Sequence, residues 1–328
     1  MKKIIRTLKT LFLPKDNCSQ EVRDSCEIAE QKNAEIILPK NDTQTIDCYR
    51  QKAEQGDADA QYQLGICYYI GNGVPQDYTQ TVFWLHKSAE QGYAAAQYNL
   101  GMCYYKGEGV TQDRTKAVEW LHKSAEQGVF VSQNSLGLCY YFGDGISQDH
   151  TQAVYWFGKA AEQGFAEAQY YLSRCYFSGQ GILQDNHQGV KLLTMAAENG
   201  YAEAQYLLAY SYFYGHNVTK DYMQSAHWFH KAAEQGHPAS QYHLGVFYKS
   251  GFGVTQNDTQ AVEWFWKAAE QGFIDAQYNL ARCYEQGDGV VQNYEQALYW
   301  FSKAAEQGDT EAHSMSEKLK AAGYSSQK

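Results

Sequence analysis

No stretch of this 328-residue sequence is apolar for long enough to cross a bilayer: its longest apolar runs are only a few residues, and a spanning helix needs ~20. No transmembrane segment is expected. Basic runs are missing beyond the first fifteen residues, and 27 Lys and Arg stand against 37 Asp and Glu. Phosphate binding needs clustered cations that displace counterions, so the expected partner is a protein or peptide and not nucleic acid. No CxxC pair occurs among the eight cysteines, which removes zinc ribbons and redox dithiols. Gly71-x-Gly73 lacks the third glycine of a dinucleotide loop, has Gln76 in its place and follows a helical pattern instead of a strand, so it is read as structural. What the chain has in excess is aromatic: 49 rings, 28 of them Tyr, more than a disordered chain carries.

Charge is distributed unevenly. Residues 1–15 hold Lys2, Lys3, Arg6, Lys9 and Lys15 and no acid, leaving 22 basic against 37 acidic residues in the rest. Ile4, Ile5, Leu8, Leu11 and Phe12 recur there at helical spacing, as in an amphipathic segment. Arg6 and Lys9 interrupt any apolar h-region, and no small-residue cleavage site follows, so a cleaved signal peptide is rejected. Contact with a membrane surface and a plain end of the fold remain as alternatives. A helix is expected around Glu21 to Ile37, stopped by Pro39.

The sequence repeats every 36 residues without insertion, as the glycines closing each Ala-Glu-(Gln/Asn)-Gly show: Gly56, Gly92, Gly128, Gly164, Gly200, Gly236, Gly272 and Gly308. A fixed period in this range signals a stacked array in which no unit folds alone. The expected organisation is a basic segment and polar linker over 1–40, a capping helix over 41–56, seven repeats over 57–308, and a capping helix with a tail over 309–328.

Each repeat reads as two helices. In the first, Ala60, Gln61, Leu64, Gly65 and Tyr68 fall on one arc at 100° per residue, and that arc is expected to be packed. Gly71 is expected to end the helix in the left-handed conformation, with Gly73, or Asn217 in its place, supplying a second such position. Val74 and its Val or Ile equivalents read as an apolar plug. Asp77, Asp113, Asp149, Asp185, Asp221, Asn257 and Asn293 are then placed to N-cap the second helix, which buries Trp84, Leu85, Ser88 and Ala89. Five cysteines share one position, Cys67, Cys103, Cys139, Cys175 and Cys283. Stacked helices hold such positions at least ~8 Å apart, beyond the roughly 4.4–6.8 Å Cα separation of a disulfide, so free buried thiols and a reducing, cytoplasmic setting are expected.

The run Leu64-Gly65-x-x-Tyr68-x-x-Gly71-x-Gly73-Val74, followed by Asp77, Trp84 and Lys87-Ser88-Ala89-Glu90-x-Gly92, resembles the Sel-one-like repeat family, bacterial in many members and related to tetratricopeptide repeats. The resemblance spans about Gln44 to Ala322. It implies an all-α, right-handed α-solenoid of antiparallel helix pairs, about sixteen helices in all, whose first helices line a concave surface that binds proteins or peptides. It implies a scaffold or adaptor, with an exported, host-interacting protein lacking a cleaved signal as the alternative.

Opposite this core-facing arc, the first helices vary from copy to copy, as a partner-reading surface would. Its candidate binding residues are Tyr62, Ile66 and Tyr69; Tyr98, Met102 and Tyr105; Leu138 and Tyr141; Tyr170, Arg174 and Phe177; Tyr206, Tyr210 and Phe213; then Tyr242 and Arg282. The aromatics are expected to be exposed, with Arg174 and Arg282 as polar anchors and a charged end marked by Lys249 and Glu285. Self-association could cover the same surface. On this reading Tyr210 and Phe213 are replaceable at little cost in stability, whereas Tyr212 belongs to the core. A carboxylate clamp of the tetratricopeptide kind is not supported, because Lys, Arg and Asn do not gather on this face.

Catalysis has little support. His227 and His230 lie three apart with no further ligand indicated by the pattern, and His86, His122 and His230 are separated by whole repeats, so no metal or cofactor is expected. Cysteine-rich relatives linked to penicillin binding and hydrolysis make a serine hydrolase the rival class, but they carry paired cysteines in each repeat. The only Ser-x-x-Lys here is Ser325 to Lys328.

Overall fold

The computed structural model describes residues 43–325. The basic segment 1–15, the helix expected near Glu21 to Ile37, Cys18, Cys26 and Lys328 lie outside the described residues. Sixteen α-helices and no strand are found among them. Helix α1 (Thr43–Glu54) precedes seven pairs: α2 and α3 (Ala58–Ile70, Tyr78–Glu90), α4 and α5 (Ala94–Lys106, Arg114–Glu126), α6 and α7 (Phe130–Phe142, His150–Glu162), and α8 and α9 (Ala166–Ser178, Asn186–Glu198). The remaining pairs are α10 and α11 (Ala202–Tyr214, Tyr222–Glu234), α12 and α13 (Pro238–Ser250, Asp258–Glu270), and α14 and α15 (Ile274–Gln286, Tyr294–Glu306), followed by α16 (Thr310–Ala321). Two compact units, 43–189 and 190–325, part inside α9. Within each, the two helices of a repeat pack together and the second packs on the first helix of the next.

The turn chemistry follows the residues. Gly71 closes α2 in the left-handed region at φ 72°, its N–H donating to the Cys67 carbonyl, and Asn217 is the one described non-glycine at positive φ. The second turn glycine has a further duty: a Cβ on Gly109 would stand 2.1 Å from the Tyr78 carbonyl oxygen of the preceding repeat, so stacking itself excludes a side chain there. Asp77 accepts the N–H groups of Thr79 and Gln80, and Asp113, Asp149, Asp221, Asn257 and Asn293 cap their helices in the same way. Asp185 accepts from Gln188 N–H at 3.0 Å.

Within each unit the core is built of side chains from the predicted arcs. Leu64, Leu100, Leu136, Leu208, Leu244 and Leu280 are fully shielded, each contributing about 1.5–3 kcal/mol by removal from water. On the second helices, Leu85, Leu121, Phe157, Phe229, Phe265 and Phe301 are buried more deeply than the Trp84 series beside them. Glycine in the first helix makes room for them: a Cβ on Gly137 would lie 2.6 Å from the Phe157 ring. Caps close both ends, α1 with Ile46 and Ala53 against Leu64 and Trp84, α16 with Ala312 and Leu319 against Leu280 and Phe301. The thiols of Cys67, Cys103, Cys139, Cys175 and Cys283 are free and buried, as their shared position predicts.

A buried glutamine ladder binds the repeats. Gln61 Nε2 donates to Ala53 O across 3.0 Å while its Oε1 accepts from Gln91 Nε2 at 2.7 Å. The motif recurs at Gln97 with Gln127, Gln133 with Gln163, Gln205 with Gln235, Gln241 with Gln271 and Gln277 with Gln307. Each amide is satisfied twice, which is why a polar residue can repeat inside a core.

Candidate functional site: the first-helix face

The exposure expected of the candidate aromatics is not what the structure shows. Tyr62, Tyr98, Met102, Tyr105, Leu138, Tyr141, Tyr170, Arg174, Tyr206 and Tyr210 are buried, whereas Ile66, Tyr69, Phe177, Phe213, Tyr242 and Arg282 are half-buried. Tyr212, assigned to the core, is only half-buried, and Tyr210 beside it retains 4% exposure. The helical wheel of one isolated helix misjudged this arc because a helix inside a stack has neighbours on both flanks. The Tyr62 ring rests 5.1 Å from Tyr93 and its hydroxyl accepts from Asn99 Nδ2 at 3.3 Å. Tyr141 donates to Gln180 Oε1 in the next turn at 3.2 Å, and Tyr242 meets Phe273 at 5.3 Å. These rings join one repeat to the next.

In the first unit the face carries buried charge. Tyr105 Oη donates to Asp144 Oδ2 at 2.7 Å and Arg114 Nη1 to Asp144 Oδ1 at 2.5 Å, so both carboxylate oxygens are engaged. Burial, then the bond to Asp144, drives the Tyr105 phenol far above its usual range. One helix further, Asn134 Nδ2 on α6 donates to Glu167 Oε2 on α8 at 3.1 Å, and both side chains retain only 2% exposure. The other end of that amide, Asn134 Oδ1, is buried without a hydrogen-bond partner. Arg174, also buried, lays its guanidinium 5.7 Å from the Tyr170 ring centroid. Apolar Met102 and Leu138 complete the floor. The orphaned acceptor is the one polar group here that a further N–H donor would satisfy.

In the second unit rings crowd part of the same face. Tyr206 and Tyr210 approach to 5.7 Å, Tyr210 and Tyr214 to 4.8 Å, and His243 stacks on Phe229 at 5.0 Å. Burial, reinforced by His237, pushes the His243 imidazole down to about 4. The charged end expected here pairs internally: Lys249 Nζ reaches Asp288 Oδ2 at 2.9 Å, and Arg282 Nη1 reaches Glu285 Oε2 at 2.6 Å. Burial works against the Lys249 charge, yet the bond to Asp288 leaves its pKa raised on balance. Arg282 is therefore engaged with its own helix.

On the second-helix face, His86, His122 and His230 each lie edge-on to the tryptophan one repeat later, at 5.7, 5.5 and 5.8 Å. Among the described residues no group of three or more His, Cys, Asp or Glu could hold a metal ion, and no helix is long and apolar enough to cross a membrane. Sequence reasoning did not find the Asn134–Glu167 pair. Half of its signal was there, since Asn134 stands where the Tyr62 series otherwise supplies Tyr, but Glu167 belongs to a series that is acidic in Asp59, Glu203 and Asp275 as well, and the pair emerged only when α6 and α8 were side by side.

A Sel1 repeat model matches residues 58–93, 94–129, 131–165, 166–201, 202–237, 238–273 and 274–309. Among solved structures, c5321 of uropathogenic Escherichia coli, a protective antigen displaying an SLR fold, is 38% identical with a TM-score of 0.76, and the alignment covers 93% of this chain and 68% of that one. A Sel1 repeat protein from Oxalobacter formigenes is 34% identical with a TM-score of 0.74, covering 94% and 93% of the two chains. Comparison with curated proteins gives no match.

Proposed function

The chain belongs to the Sel1 repeat family, and from that premise we propose that it is a scaffold holding a protein or peptide partner on the first-helix face of its first unit. Sel1 repeat proteins generally act as protein-interaction scaffolds, and the family is typically non-enzymatic. The observation that carries the reading is Asn134, withdrawn from water with its Oδ1 unsatisfied beside the Glu167 carboxylate. An orphaned buried acceptor costs about 1–3 kcal/mol, a cost that a ligand N–H would remove. Half-buried Ile66 and Phe177 add apolar contact on the same face.

A photo-crosslinking residue placed at Ile66 or Phe177 tests this in native cells, with Tyr155 on the second-helix face as control. Adducts with a discrete protein are expected from the first two positions and not from the third. Equal yields from all three positions, or adducts from Tyr155 alone, would sink the reading.

A reducing compartment belongs to the same proposal, because the six described cysteines are free thiols. Export toward a host is the second reading, favoured by the similarity to a protein described as a protective antigen. Fractionation of the native cells decides between them: recovery in the cytoplasmic fraction supports the first, recovery in the medium or at the cell surface the second.

A further inference from the structure

We propose that Met223, His227 and His230 on α11 form a binding site for a soft monovalent metal ion, Cu(I). The site lies on the second-helix face of the second unit and does not depend on the binding reading above.

Placement comes first. His227 and His230, which the sequence pattern left without a further ligand, gain one in Met223. At 100° per residue the three positions fall within about 60° of one another around α11. They follow one another at intervals of four and three residues, which sets successive Cβ atoms about 5–6 Å apart. All three side chains reach solvent: Met223 is 72% exposed, His227 is exposed and His230 half-buried. The combination is particular to α11. His86 on α3 and His122 on α5 are equivalent to His230, but Phe83 and Glu119 stand in place of His227, and Thr79 and Thr115 in place of Met223.

Both histidines are prepared as ligands. His230 Nδ1 faces Glu234 Oε2 at 3.5 Å. A carboxylate on that side favours Nδ1–H and leaves the lone pair on Nε2 for a metal. Partial burial, then Lys231 and His230, hold the His227 pKa below its ordinary value. Its ring is therefore neutral at neutral pH, the form that ligates.

The donor set selects the ion. Counting His, Cys, Asp and Glu alone, no group of three among the described residues could hold a metal, so a zinc site built from nitrogen, oxygen and thiolate ligands has no basis here. The third donor is a thioether, and thioethers favour Cu(I) over harder ions. Charge points the same way. Lys231 Nζ lies over the Trp228 ring at 4.8 Å, next to the site, and its ammonium repels a divalent ion about twice as strongly as a monovalent one. Two imidazoles and a thioether are neutral, so the one carboxylate beside them, Glu234, matches a single positive charge.

The test uses the full chain with Cys18, Cys26 and Cys48 changed to Ser, so that thiols outside the buried column do not compete. Its methionine methyl groups carry an isotope label, and the chain is titrated with Ag(I), a redox-inert stand-in for Cu(I). The Met223 methyl resonance, identified by its loss in Met223→Leu, should shift and saturate at one ion per chain, while those of Met102, Met195 and Met315 stay in place. Cu(I) affinity is then measured without oxygen in competition with a chromogenic chelator. Met223→Leu, His227→Ala and His230→Ala should each weaken Cu(I) at least about tenfold, and His122→Ala, the equivalent change on α5, should leave it unaltered. Met223 and His227 are exposed, so their variants should keep the unfolding midpoint of the parent, which separates loss of ligation from loss of fold. A Met223 resonance that does not move, Cu(I) affinity unchanged by Met223→Leu and His227→Ala, or displacement of Cu(I) by an equal concentration of Zn(II) overturns the inference.

Discussion

The two units share one repeat pattern and differ in how they fill part of the same face. In the first, α6 and α8 bring Asn134 to Glu167, and Asp144 is shared by Tyr105 and Arg114. In the second, α10 and α12 put Tyr206, Tyr210 and His243 at equivalent or adjacent positions, ring against ring. The ladder of glutamines and the leucine column beneath are the same in both. The lesson is that the ladder and the leucine column are common to both units, while the opposite arc, which also joins one repeat to the next, carries a buried Asn–Glu pair in one unit and a denser cluster of rings in the other.

Four measurements would break or sharpen that contrast. The largest effect is expected in the aromatic unit, where Phe229→Ala should cost about 3–5 kcal/mol in denaturant unfolding, because a fully buried ring leaves a cavity that its stacked His243 cannot refill. A cost of about 1 kcal/mol or less would mean that the rings are loosely held.

The next effect is a pH dependence. His243 titrates at about 4 in the folded chain against an ordinary value of 6.5, so the unfolded chain takes up that proton first. Stability should be flat above about pH 6.5 and fall toward about pH 4, by as much as roughly 1.4 kcal/mol per unit and on the order of 3 kcal/mol in all. Unfolding midpoints at several pH values compare wild type with His243→Phe, whose slope over that window should be shallower. An unchanged slope would mean that the ring is solvated.

In the charged unit, Arg114→Ala leaves Asp144 buried with its cation removed. The expected loss is about 2–3 kcal/mol, below the value for a fully enclosed pair, because a third of the Arg114 side chain is exposed. Melting at low and high salt should show the loss persisting in salt, whereas a loss abolished by salt would place the pair in solvent.

The smallest effect should be the same in both units. Gln133→Ala in the first and Gln241→Ala in the second each strip a satisfied amide from the ladder, at about 1–2 kcal/mol. A difference between them larger than about 1 kcal/mol would show that the scaffold is not shared after all.

Much of this was legible in the sequence. A strict 36-residue period, with Gly71 at the helix end and Asp77 at the next helix start, dictates helix, turn and helix by local backbone chemistry alone, and the helices fall where that chemistry puts them. Asn217 in the left-handed region follows from the same logic. The candidate face was only partly legible. A single helical wheel leaves Tyr210 and Tyr105 open to solvent, and adjacent repeats seal both. The role of Gln61 was equally hidden, since a repeated glutamine in an apolar arc becomes intelligible only when Gln91 and the Ala53 carbonyl are seen beside it.

By itself, then, the sequence determined the secondary structure, the period, the caps and the leucine column, because those depend on residues within a few positions of one another. The tertiary structure alone decided which variable residues are buried, that Asn134 meets Glu167 across 33 positions of chain, and that Asp144 closes on Tyr105 and Arg114 from neighbouring repeats. The physical reason is distance along the chain. Helical periodicity describes one helix in isolation, whereas burial and pairing on the first-helix face are set by the flanks of adjacent helices, which that periodicity does not contain.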